Sequence, residues 1–268
     1  MPQIIPIADP DDPRIEPYGQ VRERDLVGRR GEFIAEGEVV LNVLLGPESR
    51  CRASSLLIAE KRIERLKPLI ERLPAGVPVY AAGQAVMDAI VGFHIHRGIM
   101  AHGLRPADPG TEALLAGLPP RALVLVLFGI SNHDNMGGLF RNAAAFGADA
   151  VLLDTACCDP LYRKAIRVSV GAALKVPFAR LAAGEDPLAL LERTGFTALA
   201  LSPAGAEPLA GLRRPDRAAV LMGAEGAGLP TDVLQRARTL AIPMAAGWDS
   251  LNVAAASAIV LHELTRAS

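Results

Sequence analysis

The run Leu123-Val124-Leu125-Val126-Leu127 restricts the fold more than any other stretch of this chain. Five consecutive apolar residues have no polar face to offer solvent, as expected of a parallel strand covered on both sides. From there to the C terminus, short apolar runs alternate with stretches of helical spacing. Strands are expected at 122–128, 150–153, 176–179, 198–201, 218–222 and 239–242, and helices at 138–146, 160–168, 187–194, 231–238 and 251–265. That alternation specifies an α/β domain built on a parallel sheet.

The front of the chain reads differently. Residues 1–30 mix Pro, Asp and Arg with no sustained period and are expected as an arm, in which Arg22, Arg24, Arg29 and Arg30 are either solvated or set against phosphates. Residues 31–104 suit a small α/β domain, with strands near 33–34, 54–59, 77–81 and 99–102. Helices are expected at 37–45, 63–73 and 85–90, with Pro68 early in the second turn of the middle one. His94 and His96 would share one face of an extended strand, but no third ligand has a matching spacing, so no metal is expected. Residues 105–121, rich in Pro and Gly, are expected as a linker, with a short helix at 111–116, to a catalytic domain at 122–268.

Bulk properties narrow the function. A chain of 268 residues, half of them hydrophobic and 21% charged, folds as a globular protein, and its length suits two domains. The formal net charge of −1 means that any nucleic-acid contact must use local basic patches. Of the three cysteines, adjacent Cys157 and Cys158 are poorly placed to bridge each other, so no disulfide framework is expected. No apolar run is long enough to span a bilayer, and the polar, proline-rich N terminus is unlike a signal peptide, so a cytoplasmic protein away from membranes is expected.

Two glycine-rich stretches near the C terminus each follow a short apolar strand. Leu221-Met222-Gly223-Ala224-Glu225-Gly226-Ala227-Gly228-Leu229-Pro230 precedes a helix that Thr231 can cap. Ile242-Pro243-Met244 leads to Ser250-Leu251-Asn252-Val253, where Ser250 is expected as the N-cap. Tight loops at the ends of neighbouring strands suit a small ligand, although ordinary turns also carry glycine. The order G-x-x-G-x-G, at the fifth strand of its domain, departs from the dinucleotide-binding G-x-G-x-x-G at a first strand. After the first strand, Asn135 can cap a helix, Gly147 can end it, and Arg141 lies one turn inside an otherwise apolar helix.

Three segments, taken together, resemble the motifs of the SpoU/TrmH family of RNA ribose methyltransferases. Asn132-x-x-Asn135-x-Gly137-x-x-x-Arg141-x-Ala143-x-x-Phe146-Gly147 resembles its first motif, Gly223-x-Glu225-Gly226-x-Gly228-Leu229 its second, and Ile242-Pro243-Met244 with Ser250-Leu251-Asn252-Val253 its third. Arg167-x-Ser169-x-Gly171-Ala172 with Val176-Pro177 is similar to a further stretch. The resemblance covers residues 122–264. More loosely, 33–37 and 92–98 resemble the small RNA-binding domain that many members carry in front. Asn142 departs from the pattern, standing where a small hydroxyl residue is usual, and the spacer 245–249 carries Trp248.

The resemblance implies a SPOUT-type catalytic domain folded into a deep trefoil knot, which general chain topology would argue against. It implies a homodimer that methylates a ribose 2′-hydroxyl of rRNA or tRNA with S-adenosylmethionine. Leu201, Met222, Gly223, Gly228, Ile242, Met244 and Leu251 would contact the cofactor. Arg141 would be the catalytic arginine, with Asn135, Glu225, Ser250 and Asn252 fixing it and the ribose, and Glu225 as its partner, in the same protomer or across the dimer. A guanidinium stays protonated, so its first role would be to stabilise the developing alkoxide. The alternative is a knotted RNA-binding module without turnover. The helix 251–265 also favours a dimer, since Val253, Ala254, Ala255, Ala258, Ile259 and Leu261 cover more than one face.

Overall fold

Strand β6, Ala122–Leu127, lies at the heart of the larger of two units, and each of its six side chains is fully buried. The computed structural model describes residues 3–19, 21–91, 98–246 and 249–266; His94, His96 and Trp248 lie outside the described residues. One unit comprises Met1–Ala107 with Leu161–Lys175, and the other Asp108–Pro160 with Val176–Ser268.

In chain order the smaller unit runs β1 (Ile4–Ile7), β2 (Glu32–Glu36), α1 (Glu38–Leu44), β3 (Arg52–Ala59), α2 (Ile63–Ile70), β4 (Val79–Ala82), α3 (Gln84–Val91) and β5 (Ile99–Leu104). Among the described residues these strands form one sheet in the order β1-β4-β3-β5-β2, with β5 antiparallel to both neighbours and the remaining pairs parallel. The expected arm is therefore corrected. Ile4 pairs with Val79, and Ile15, Tyr18, Leu26 and Val27 are buried in the core. These apolar residues have no period, so only their tertiary partners reveal them. Tyr18 shares a 2.7 Å hydrogen bond with Ser55 and accepts another from the His102 backbone N–H; burial pushes its phenol well above the usual range.

The larger unit begins with α4 (Thr111–Ala116) and β6, followed by α5 (His133–Ala145) and β7 (Ala150–Leu153). The chain then forms α6 (Arg163–Val168), which belongs to the smaller unit, and returns through β8 (Phe178–Arg180), α7 (Pro187–Arg193), β9 (Thr197–Leu201), β10 (Glu207–Pro208), β11 (Arg217–Met222), α8 (Thr231–Arg236), β12 (Arg238–Ala241) and α9 (Val253–Arg266). Every strand pair is parallel, in the order β10-β12-β9-β11-β6-β7-β8.

Two expectations change here. The short helix expected at 111–116 forms as α4, but its Leu114 and Leu115 join the core of the larger unit, so this stretch is more than a linker. Arg217 donates to the carbonyls of Leu115, Leu118 and Pro119, tying the end of α4 and the turn after it to β11. The helix expected at 160–168 does form in part, as α6, but packs with the smaller unit: Arg50 N–H donates to the Leu174 carbonyl at 2.9 Å, Glu23 accepts from the Arg163 N–H, and Lys175 pairs with Glu48. Periodicity announces a helix and leaves open which core it joins. Among the described residues, Cys51, Cys157 and Cys158 form no disulfide with one another.

Candidate cofactor cleft and active site

Strands β12, β9 and β11 are neighbours, and all three run in the same direction. The loops at their carboxyl ends therefore emerge side by side, where α/β sheets commonly place a ligand. With residues 249–253 they enclose a cleft of about 700 Å³. Leu201, Met222, Gly223, Gly228, Ile242, Met244 and Leu251 all lie on its wall, together with Glu225, Ser250 and Asn252. Ser202, Pro203, Leu229, Asp249 and Ala256 also line it and were missed by sequence reasoning. The position of Ser202 and Pro203 directly after β9 was the available signal.

The second-motif loop owes its shape to glycine. Gly228 N–H donates to the Ala224 carbonyl at 2.9 Å, folding the loop back on itself. Gly226 and Gly228 sit at φ of +85° and +68°, a region costly for other residues. A side chain on Gly223 would land inside the backbone of Gly228 and Leu229. Glycine at 223 thus lets the two ends of the loop close on each other, with Glu225 carried between them on the cleft wall.

Asn252 organises the floor. Its Oδ1 accepts from the N–H groups of Ala254 at 2.9 Å and Ala255 at 3.3 Å, which caps α9 and corrects the expected cap at Ser250. Its Nδ2 donates to Glu225 Oε1 at 2.8 Å and to Asn135 Oδ1 at 2.9 Å. One amide therefore ties all three motifs together, and its orientation is fixed at both ends. Ser250, two residues earlier, is left exposed on the cleft wall. Asn132, and not Asn135, caps α5, accepting from Asp134 N–H at 2.8 Å. The residue before α8 is Pro230, and no side chain caps that helix, so Thr231 does not take the expected role.

Arg141, the arginine singled out by the resemblance, stands apart from the residues expected to hold the cofactor. It is exposed on α5 and does not line the cleft. Among the described residues it makes no ion pair with Glu225, whose carboxylate instead accepts from Asn252. Helix α5 packs closely on α9: a Cβ on Gly138 would stand 2.7 Å from Ala254 Cβ, and Asn142 bonds to Ala254 and Ser257.

Electrostatically the described cleft wall is one-sided. Glu225 and Asp249 contribute carboxylates, and the lining residues include no Lys or Arg. Apolar Leu201, Met222, Ile242 and Leu251 supply flat surface beside them. Such a cleft accepts a ligand with an aromatic ring and a positive charge, and disfavours phosphate. Among the described residues, no group of three His, Cys, Asp or Glu could hold a metal ion. No helix among them is long and apolar enough to cross a membrane.

Comparison with known proteins gives consistent matches. Residues 122–262 match the SpoU rRNA Methylase family. A curated tRNA/rRNA methyltransferase of Mycobacterium tuberculosis H37Rv is 39% identical over 270 residues, covering 97% of this chain and 91% of that protein. A TrmH-family protein from Porphyromonas gingivalis has a structure with a TM-score of 0.79 and 26% identity, over 96% of this chain and 99% of that one. The AdoMet-bound rRNA methyltransferase from Sinorhizobium meliloti has the same fold, with a TM-score of 0.78 and 24% identity over 98% of both chains.

Proposed function

The chain belongs to the SpoU rRNA methylase family, and from this we propose that it transfers a methyl group from S-adenosylmethionine to a ribose 2′-hydroxyl of rRNA or tRNA. The observation that carries the reading is the cleft at the carboxyl ends of β9, β11 and β12. It has apolar walls for the adenosine, a bare glycine backbone and two carboxylates with no cation among the lining residues. A sulfonium carries a positive charge, which Glu225 and Asp249 favour. When bound, the cofactor supplies an electrophilic methyl group.

This chain's residues then have three tasks. Leu201, Met222, Ile242, Met244 and Leu251 desolvate and orient the nucleoside, and Gly223 and Gly228 let it approach the main chain. Asn135, Asn252 and Glu225, joined by hydrogen bonds, hold the rim where the ribose must align in line with the methyl group. Arg141 stabilises the 2′-oxygen as it loses its proton to solvent and forms the new O–CH₃ bond, while the S–CH₃ bond breaks.

We place the protein in solution as a cytoplasmic homodimer, with the trefoil knot of its family. Arg141 lies off the cleft of its own chain, and α9 leaves Ala255 and Ile259 exposed. A second copy packed on this face would cover Ile259 and bring its Arg141 to the cleft. The smaller unit serves as the RNA-binding part.

The decisive experiment uses substrate chemistry. RNA carrying a 2′-deoxyribose at the mapped target nucleotide should bind and accept no methyl group, whereas the parent RNA is methylated. Methyl transfer to the deoxy substrate would make the acceptor a base and remove the role given to Arg141. An RNA-binding module without turnover would methylate neither.

A further inference from the structure

The segment Leu161–Lys175 is carried by the catalytic part of the sequence and folds into the smaller unit. Its charge is distinctive. Residues 1–107 hold 14 Lys and Arg against 14 Asp and Glu, whereas 161–175 adds Arg163, Lys164, Arg167 and Lys175 with no acidic residue. The larger unit holds 10 basic side chains against 15 acidic ones. The whole positive excess of the smaller unit therefore comes from this one segment.

Its tip is rigid and strained. Ser169, buried, donates to the Ile166 carbonyl at 2.9 Å and accepts from Ala173 N–H at 3.3 Å. Val170 has φ of +55°, the sole non-glycine residue with positive φ among those described, and Gly171 follows at +85°. A β-branched residue in this region is an outlier, and such strain concentrates at functional sites. Gly171 lies against Val43, where a Cβ would come within 3.0 Å of the valine Cβ. Backbone bonds run from Ile166 to Gly171, from Gly171 to Leu174 and from Leu174 to Arg50, so the start of β3 is tied to the tip. The outcome is an apolar side chain, 37% exposed, beside the exposed Arg167.

We infer that this tip is a contact for the substrate RNA, with Arg167 and Arg50 gripping phosphates and Val170 lying against a ribose or base. The inference rests on the RNA-methyltransferase reading and adds to it the element that touches RNA outside the cofactor cleft. A polyanion is favoured over a protein partner by the exposed Arg167 and by a segment that brings four basic side chains and no acidic one to a chain otherwise acidic, although Lys175 is paired with Glu48. Phosphate contacts position a substrate, and an exposed apolar side chain between them can stack or wedge.

The test uses the full-length protein with Arg167→Gln, Arg50→Gln and Val170→Gly. The probe is tRNA and rRNA from cells lacking the gene. Each arginine variant should bind roughly threefold to tenfold more weakly at 0.15 M salt, and its log–log salt slope should shrink by about 1. Val170→Gly should weaken binding severalfold at unchanged slope, with a melting temperature no lower than the parent's, because glycine adopts this φ freely. S-adenosylmethionine affinity, measured by calorimetry, should stay at the parental value in all three. Parental RNA affinity and slope in the variants would overturn the inference. So would a changed mass by light scattering with unchanged RNA affinity, which would assign the surface to a second copy. If the family reading itself fails, the unmodified protein will bind and methylate no RNA, a different result from selective loss in the variants.

Discussion

Asn142 Nδ2 donates to Ser257 Oγ at 2.8 Å and to the Ala254 carbonyl at 2.7 Å, bonding the helix that bears Arg141 to the helix that Asn252 caps. Ser257 is itself fully buried and donates to the same carbonyl. A small hydroxyl at position 142 could not span both acceptors. The longer amide therefore belongs with Ser257 as a pair.

Replacing Asn142 by Ala should cost about 1–3 kcal/mol, the scale of losing hydrogen bonds at a buried helix contact. For a chain of this size that is a drop of about 3–10 °C in melting temperature. Asn142→Asp should be worse, because a carboxylate would face the Ala254 carbonyl. Thermal melts of the two variants check this, and a parental melting temperature for Asn142→Asp would refute it.

Gly223→Ala should abolish cofactor binding by disrupting the loop, since the new methyl group would overlap the Gly228 backbone before meeting any ligand. Calorimetry should show an affinity loss of roughly a hundredfold or more, with a lower melting temperature of the apo protein. A variant that lost affinity at an unchanged apo melting temperature would point to a clash with ligand alone.

Arg141→Ala should leave S-adenosylmethionine affinity nearly unchanged, because the side chain lies off the cleft wall. Turnover should fall roughly a hundredfold or more, the scale of losing one oxyanion donor. Arg141→Lys should recover little, since an ammonium lacks the planar fork. Single-turnover rates with saturating cofactor and RNA separate the two effects.

Residues 122–268 on their own should fold poorly. The fragment loses α4, with Leu114 and Leu115, from the core of the larger unit. It retains 161–175, whose buried Ala165, Ile166 and Leu174 belong to the smaller unit. Losing two buried leucines alone costs about 2–5 kcal/mol each. The fragment should melt without cooperativity and bind the cofactor weakly. Cooperative melting with the affinity of the whole chain would contradict this.

The sequence disclosed what depends on local chemistry. The strands of the parallel sheet other than β10, and the glycine loops, were readable because apolar runs and strand-to-helix turns are short-range signals; the cofactor residues came from the motif resemblance, and Ser202, Pro203 and Asp249 on the cleft wall were not among them. What required three dimensions was hidden. Ile4, Ile15 and Leu26 have no period and looked like an arm until β4 and its neighbours gave them partners. Ser250 looked like a cap because its residue type favours one, yet Asn252 holds the position by serving the helix and Glu225 at once. The pairing of Arg141 with Glu225, implied by the resemblance in the same protomer or across the dimer, is not made within one chain, where Glu225 accepts from Asn252 instead.

The passage of the chain out of the larger unit after Pro160 and back at Val176 also bears on synthesis. A ribosome releases the N terminus first, and domains ordinarily fold as they emerge. Here the first 107 residues leave the exit tunnel lacking their final piece, and the smaller unit closes only after residue 175 has followed. By then β6 and β7 are already outside, with their apolar faces uncovered. The smaller unit can therefore be completed first, at residue 175, while β6 and β7 still wait for their sheet neighbours β11 and β8.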